Sequence, residues 1–116
     1  MVGLNLLSGV GDRGSIRLDS GEVVTTAGDD LGPTFVAIRP NAVSLHRHLP
    51  EGSARNVWPG QAGELYLTGD RARVRVDGPV PLIAEVTPAA VADLDLADGG
   101  PIWASVKATD IDTYPI

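Results

Sequence analysis

Apolar and polar residues alternate along much of this chain with a period of two. In residues 71–77, Ala72, Val74 and Val76 fall on one side, and Arg71, Arg73 and Arg75 on the other. In 80–86 the apolar set is Val80, Leu82, Ala84 and Val86. In 102–107, Ile102, Ala104 and Val106 alternate with Trp103, Ser105 and Lys107. Successive side chains of a strand point to opposite faces, so these patterns predict strands with one face in a core and one in solvent. Weaker versions predict strands at 3–7, 15–18, 22–26, 34–38, 42–46 and 61–68. Asp12-Arg13-Gly14, Asp19-Ser20-Gly21, Thr68-Gly69-Asp70 and Asp77-Gly78-Pro79 supply turns between them. One short helix is predicted. Thr87 caps it, Pro88 suits its first position, and Val91 and Leu94 fall three apart on a buried stripe. It ends near 94–96, before Asp98-Gly99-Gly100-Pro101.

The pattern defines an all-β chain. Seams at Pro40 and at Pro50-Glu51-Gly52 divide it into an N-terminal β lobe, 1–50, and a second lobe, 51–116. The second lobe has five strand-like segments with the helix between the last two, a count that suits an OB-like barrel. No internal repeat is visible between the halves, and no segment is of low complexity.

Composition narrows the function. The net charge is −6 and aromatic residues make up 4%. A nucleic-acid binder draws most of its affinity from basic residues on phosphates, and single-strand binders add stacking aromatics, so nucleic acid is excluded as a partner. The absence of cysteine removes disulfides, thiolate metal sites and thiol nucleophiles. No apolar run approaches the roughly 20 residues that cross a bilayer. The first residues lack the basic start and apolar stretch of a secretion signal, so a cytoplasmic location is expected.

Residues 9–14 match G-x-G-x-x-G, but a dinucleotide site needs a helix to follow, and the sequence after Gly14 reads as strand and turn. The chain has no phosphate-binding loop of the G-x-x-x-x-G-K-[ST] kind. His46 and His48 could share one face of a strand, yet no third metal ligand has a suitable spacing. No histidine sits in a nucleophile motif, and the acidic residues Asp29, Asp30, Asp93, Asp95 and Asp98 sit in turn-like or surface contexts. The chain is therefore not expected to be an enzyme.

Three segments carry donors for a tetrahedral oxyanion. Ser53, Ala54, Arg55 and Asn56 offer a hydroxyl, a guanidinium fork and a carboxamide. Thr87 opens the helix, and with Pro88 lacking an N–H, Ala89 and Ala90 would be its backbone donors. Lys107, Ala108 and Thr109 add an ammonium and a hydroxyl. Singly, each has a plainer explanation: a surface ion pair, a helix cap, an outward strand residue.

Taken in order, S-A-R-N at 53–56, Gly60, Gly69, Val86-Thr87, Leu94, Leu96, Gly99 and V-K-A-T-D at 106–110 resemble the molybdate-binding Mop, or molbindin, module. This module is also the transport-associated OB (TOBE) domain at the C-terminus of ATP-binding subunits of molybdate-type ABC importers. The likeness runs from about 52 to 112. Residues 2–9 resemble the hand-over from an ATPase domain. T-F-V-A-I-R-P-N at 34–41 resembles a stretch of such accessory domains, with Asn41 where glutamate is usual.

The resemblance implies an OB-like barrel that dimerises and holds an oxyanion, molybdate or tungstate, at subunit contacts. Its ligand set would be Ser53, Ala54, Arg55, Asn56, Thr87, Ala89, Ala90, Lys107, Ala108 and Thr109, with no other cofactor. Partners would be a second copy, the ATPase domain and the membrane permease subunits, at the inner face of the cell membrane. One departure matters: Ala90 stands where the family commonly has serine, and a missing hydroxyl at a buried anion costs about 1.5–3 kcal/mol. Alternatives are a structural dimerisation domain without ligand and a stand-alone molybdate store. Residues 1–50 argue against the store, because the storage module does not need them.

Overall fold

The computed structural model describes residues 3–52 and 56–116. Among these residues, ten strands form two five-stranded antiparallel sheets. They are β1 (Asn5–Asp12), β2 (Ser15–Leu18), β3 (Val23–Thr25), β4 (Leu31–Ile38), β5 (Ser44–His46), β6 (Asn56–Thr68), β7 (Arg71–Asp77), β8 (Leu82–Val86), β9 (Gly100–Val106) and β10 (Ile111–Pro115). Helix α1 (Pro88–Asp93) lies between β8 and β9, and single 3-10 turns cover Pro40–Ala42, Leu96–Asp98 and Ala108–Asp110. The strand orders are β10-β4-β1-β2-β3 and β5-β9-β6-β7-β8.

Those two orders are the same order. If β1 to β4 are matched with β6 to β9, each sheet has one half's strands in identical arrangement, completed by the last strand of the other half. An internal repeat is therefore present, contrary to the sequence reading. The 3-10 turns at 40–42 and 108–110 correspond as well: Arg39 and Lys107, which precede them, have φ/ψ of −68°/139° and −69°/139°. The repeat is hard to see in the sequence because the packing demands only apolar alternation at most positions. What the halves share by identity is sparse: an asparagine opening the first strand (Asn5, Asn56) and a glycine four residues later (Gly9, Gly60). Both glycines have the same cause. A Cβ on Gly9 would run into the Arg17 carbonyl, and one on Gly60 would lie 2.9 Å from the Asp77 carbonyl oxygen and 2.6 Å from Val76.

The expected seam at residue 50 is crossed by the strands on either side. β5 of the first half completes the second sheet beside β9, and β10 of the second half completes the first sheet beside β4. One apolar cluster runs through both halves, from Ile16, Val24, Val36 and Ile38 to Val74, Leu82, Ile102, Val106 and Ile111. Each sheet is hydrophobic on one face and buries it against the other, so neither half has a core of its own.

Most of the alternating segments are strands as read, and Ala72, Val74 and Val76 are fully buried. G-x-G-x-x-G lies on the end of β1 and its turn, with Arg13 and Gly14 at φ 50° and 86°. Strand β10 escaped the sequence reading because I-D-T-Y-P carries no apolar alternation. The early part of β6 escaped because Pro59 and Gly60 interrupt it. Helix α1 has only six residues, and Val91 and Leu94 are half-buried rather than buried. Leu96, in the turn that follows, is the residue that enters the core.

Candidate functional site

The repeat creates two equivalent corners. At each, the first strand of one half begins, the fourth strand of the same half ends, and the third strand of the other half lies alongside, β3 ending at Thr25 and β8 running on past Ile83 to Val86. At the first corner Asn56 pairs with Val106 in the β6–β9 ladder, so Lys107 lies where the chain enters β6. The Asn56 side chain reaches β3: its Oδ1 accepts from Thr25 N at 2.7 Å, and its Nδ2 donates to Thr25 O at 2.9 Å and to Val106 O at 3.2 Å. Both amide hydrogens are thereby engaged, and the residue is 2% exposed. Trp58 Nε1 donates to Val23 O at 3.3 Å along the same edge.

Asn56 was expected to be an oxyanion donor. Its side chain instead imitates a strand and closes the free edge of β3. Edge strands left open invite pairing with other chains, and a carboxamide presents the same donor and acceptor as a peptide group. Asn5 does the same in reverse. Its Nδ2 donates to Ile83 O at 2.9 Å and its Oδ1 accepts from Ile83 N at 2.7 Å, closing β8. This reciprocal pair of clips was missed in the sequence; the repeated N-x-x-x-G was the signal for it.

Also at the first corner are Lys107, exposed and without a carboxylate partner among the described residues, and the turn that contains Ala108 and Thr109. Thr26 follows the clipped Thr25 and is buried, and its hydroxyl has no hydrogen-bond partner among the described residues. Buried hydroxyls are nearly always paired, so this one calls for a partner beyond those residues, in the chain, in water or in a ligand. Ser53, Ala54 and Arg55 lie outside the described residues; the chain they belong to enters this corner at Asn56.

Thr87 is elsewhere. It follows Val86, which pairs with Ala72, which pairs with Leu67 at the far end of β6 from Asn56. It sits just past Glu85, which with Gly3, Arg39, Pro40, Asn41 and Arg73 lines a cleft of about 230 Å³ at the second corner. The residues collected by sequence order are thus divided by the exchange of strands. Thr87, Ala89 and Ala90 belong with the second corner, Asn56 and Lys107–Thr109 with the first. Thr87 Oγ1 accepts from Ala90 N at 3.1 Å, so one of the two backbone donors expected for an anion is held by the cap. In the second corner Arg39 takes the place of Lys107 but is paired with Asp112 at 3.4 Å.

Adjoining that cleft and sharing Arg73 and Glu85 with it, a cavity of about 500 Å³ on the outer face of β6–β8 is lined by Tyr66, Thr68, Arg71, Arg73, Ile83 and Glu85. Glu85 pairs with both arginines, at 3.1 and 3.4 Å, and offsets part of their charge. Tyr66 donates to Glu64, and that bond is the main reason its phenol is held above the ordinary tyrosine range. Arg47 donates to the carbonyls of Leu94, Asp95, Gly99 and Pro101 at 2.6–2.8 Å, tying the end of β5 to the loop after α1. His46 is hydrogen-bonded to Ser105 at 2.8 Å.

The TOBE domain family model matches residues 52–112. The chain belongs to that family, as the resemblance implied. Two curated relatives, both the molybdenum import ATP-binding protein ModC from strains of Mycobacterium tuberculosis, are 33% identical over 124 aligned positions. The match takes in 99% of this chain and 34% of each relative, so the chain spans about a third of their length. A crystal structure of the cytoplasmic molybdate-binding protein ModG, with molybdate bound, superposes with a TM-score of 0.85 at 21% identity. It covers 97% of this chain and 96% of that one, and it establishes the shared OB-like fold across both halves. The matched family domain is not an ATPase domain. No helix among the described residues is long and apolar enough to cross a membrane.

Proposed function

We propose that this chain is an oxyanion-sensing regulatory and dimerisation domain of a molybdate-type importer ATPase, and that molybdate or tungstate is its ligand. The observation that carries this reading is the first corner. There an ammonium without an ion-pair partner among the described residues, Lys107, stands beside the Ala108–Asp110 turn, one residue after Val106 of the Asn56 clip, whose other end is Thr25; the next residue, Thr26, has a buried hydroxyl with no hydrogen-bond partner among the described residues. Ser53, Ala54 and Arg55 directly precede Asn56 in the chain and would add a hydroxyl and a guanidinium. Thr87, Ala89 and Ala90, at the other corner, would join the same ligand only across a contact with a second copy.

The relatives support the choice of ligand, since one is named for molybdenum import and the other for molybdate binding. In this reading the domain works in the cytoplasm, beside an ATPase domain and its permease. Oxyanion bound between copies favours one arrangement of the domains, by as much as its affinity differs between arrangements. Charge-assisted hydrogen bonds at such a site contribute about 1.5–3 kcal/mol each. Lys107→Ala and Arg55→Ala should therefore each weaken molybdate binding by roughly 10- to 100-fold in calorimetry. Wild-type affinity in both variants would remove the first corner as the site.

A second reading, a dimerisation domain without ligand, draws on the engaged groups: Asn56 is held by β3, and the Ala90 N–H by Thr87. A third is a stand-alone molybdate store. Residues 1–50 no longer weigh against it, because the storage-type neighbour shares the fold of both halves. The 33% identity to ModC along nearly the whole chain favours the importer.

A further inference from the structure

The repeat accounts for only part of the second half. With Asn5 matched to Asn56 and Gly9 to Gly60, β1 ends at the equivalent of Gly63, and β2 begins at the equivalent of Arg75. Residues 64–68 of β6 and 71–74 of β7 go beyond it. The inner face of this extension is in the core, with Ala72 and Val74 fully buried. Its outer face turns Tyr66, Thr68, Arg71 and Arg73 outward, where they line the larger cavity with Ile83 and Glu85 of β8. Tyr66 pairs with Arg73 and Arg73 with Glu85, so Arg73 stands in the middle. Its Nε donates to Glu85 Oε1 at 3.4 Å, and Arg71 Nη1 donates to Glu85 Oε2 at 3.1 Å. Glu85 thus holds Arg73 by its inner nitrogen. Among the described residues neither Nη of Arg73 has a hydrogen-bond acceptor. Nη1 lies 3.7 Å from where a Cβ on Gly3 would be, at the smaller cleft lined by Gly3, Arg39, Asn41 and Glu85. Tyr66 is held at its hydroxyl by Glu64, which fixes the ring as a wall of the larger cavity.

We propose that the two adjoining clefts are one binding site for a small aromatic phosphate monoester, with the phosphate between Arg39 and Arg73 and the ring against Tyr66 and Ile83. At about 500 and 230 Å³ they have the size of small-molecule sites. A guanidinium held at Nε and open at its tip presents two parallel donors to phosphate oxygens. A phosphate dianion takes a second cation, which Arg39 supplies, and Asn41 adds a carboxamide at the same end. Three carboxylates face these arginines: Glu85, Asp112 at 3.4 Å from Arg39, and Asp70 at 3.7 Å from Arg71. The Asp112 and Asp70 pairs are more than half exposed and contribute little, so an arriving dianion displaces them. Glu85, with its side chain 19% exposed, stays and keeps Arg73 aimed. Beyond Tyr66, Glu64 and Asp77 are paired with Arg75. At the other end Ile83 gives apolar surface and Tyr66 a ring on which a second ring can stack. A bare tetrahedral oxyanion would leave that end unfilled, which sets this site apart from the first corner. The proposal does not rest on the molybdate reading.

Calorimetric titration of the full chain with phenyl phosphate and with inorganic phosphate, in the absence of molybdate, tests it. Phenyl phosphate should bind with a dissociation constant below about 1 mM, as a ligand of its size can. It should bind at least ~10-fold more tightly than inorganic phosphate, because only it reaches Tyr66. Arg73→Lys keeps the charge and loses the fork, and should weaken phenyl phosphate by about 10-fold. Tyr66→Ala should bring phenyl phosphate down to the affinity of inorganic phosphate. Tyr66 is exposed and lysine keeps the stem of Arg73, so both variants should melt as the wild type does in circular dichroism. Phenyl phosphate that binds no more tightly than inorganic phosphate would overturn the proposal, as would wild-type affinity in folded Arg73→Lys and Tyr66→Ala. Loss of phenyl phosphate binding in Lys107→Ala would place the anion at the first corner and overturn it too.

Discussion

The first half of this protein and the second have the same strands in the same order, yet only one carries the S-A-R-N and V-K-A-T-D segments of the family. The first half has V-G-L-N and I-R-P-N at the matching places, and no helix between its third and fourth strands. What the halves retain is what holds them together: Asn5 and Asn56, Gly9 and Gly60, and an exchanged last strand. What they have lost in common is the surface. The difference teaches that the repeated positions answer to packing, and the divergent ones to whatever each corner and each outer face meets.

The most drastic way to break the comparison is to separate the halves. Residues 1–50 and 51–116 expressed apart should both lack a cooperative melting transition, because each sheet would lose a strand and its edge clip. Mixed, they should regain strand signal in circular dichroism. A fragment that folds alone would refute the single shared core. The clips come next. Asn56→Ala removes three hydrogen bonds, two of them to the edge of β3, and should cost about 3 kcal/mol in urea unfolding. Asn5→Ala removes two and should cost about 2 kcal/mol. Equal costs would mean that the Val106 bond contributes nothing.

A smaller effect separates the corners. Thr87→Ala should lose about 1 kcal/mol of cap stability, with less than a 3-fold change in molybdate affinity for the monomeric chain. A loss as large as that of Lys107→Ala would place both corners in one site. The smallest effect concerns the second sheet's outer face. Tyr66 should ionise above the ordinary tyrosine range, and Glu64→Gln should bring it down in an ultraviolet titration, since the hydrogen bond to a charged carboxylate favours the protonated phenol.

Much of this fold was legible in the residues. Ala72, Val74 and Val76 alternate because one face of β7 is in the core, and Thr87-Pro88 announces a helix start by its cap chemistry. What stayed hidden depends on contacts distant in sequence. Nothing local in I-D-T-Y-P says that it pairs with β4, and nothing local in Asn56 says that its amide will bind Thr25 rather than an anion. The candidate site was legible as a list of donors but not as a place. Sequence order put Thr87 beside Lys107, and the strand exchange put them at different corners.

The central claim is that the first corner binds molybdate, and the melting temperature with and without excess molybdate, with sulfate as control, tests it most directly. A ligand at ~100 times its dissociation constant stabilises by about 2.7 kcal/mol, which is several degrees for a domain of this size. The account predicts that rise with molybdate, none with sulfate, and its loss in Lys107→Ala. No rise at millimolar molybdate, or an equal rise in Lys107→Ala, would contradict it.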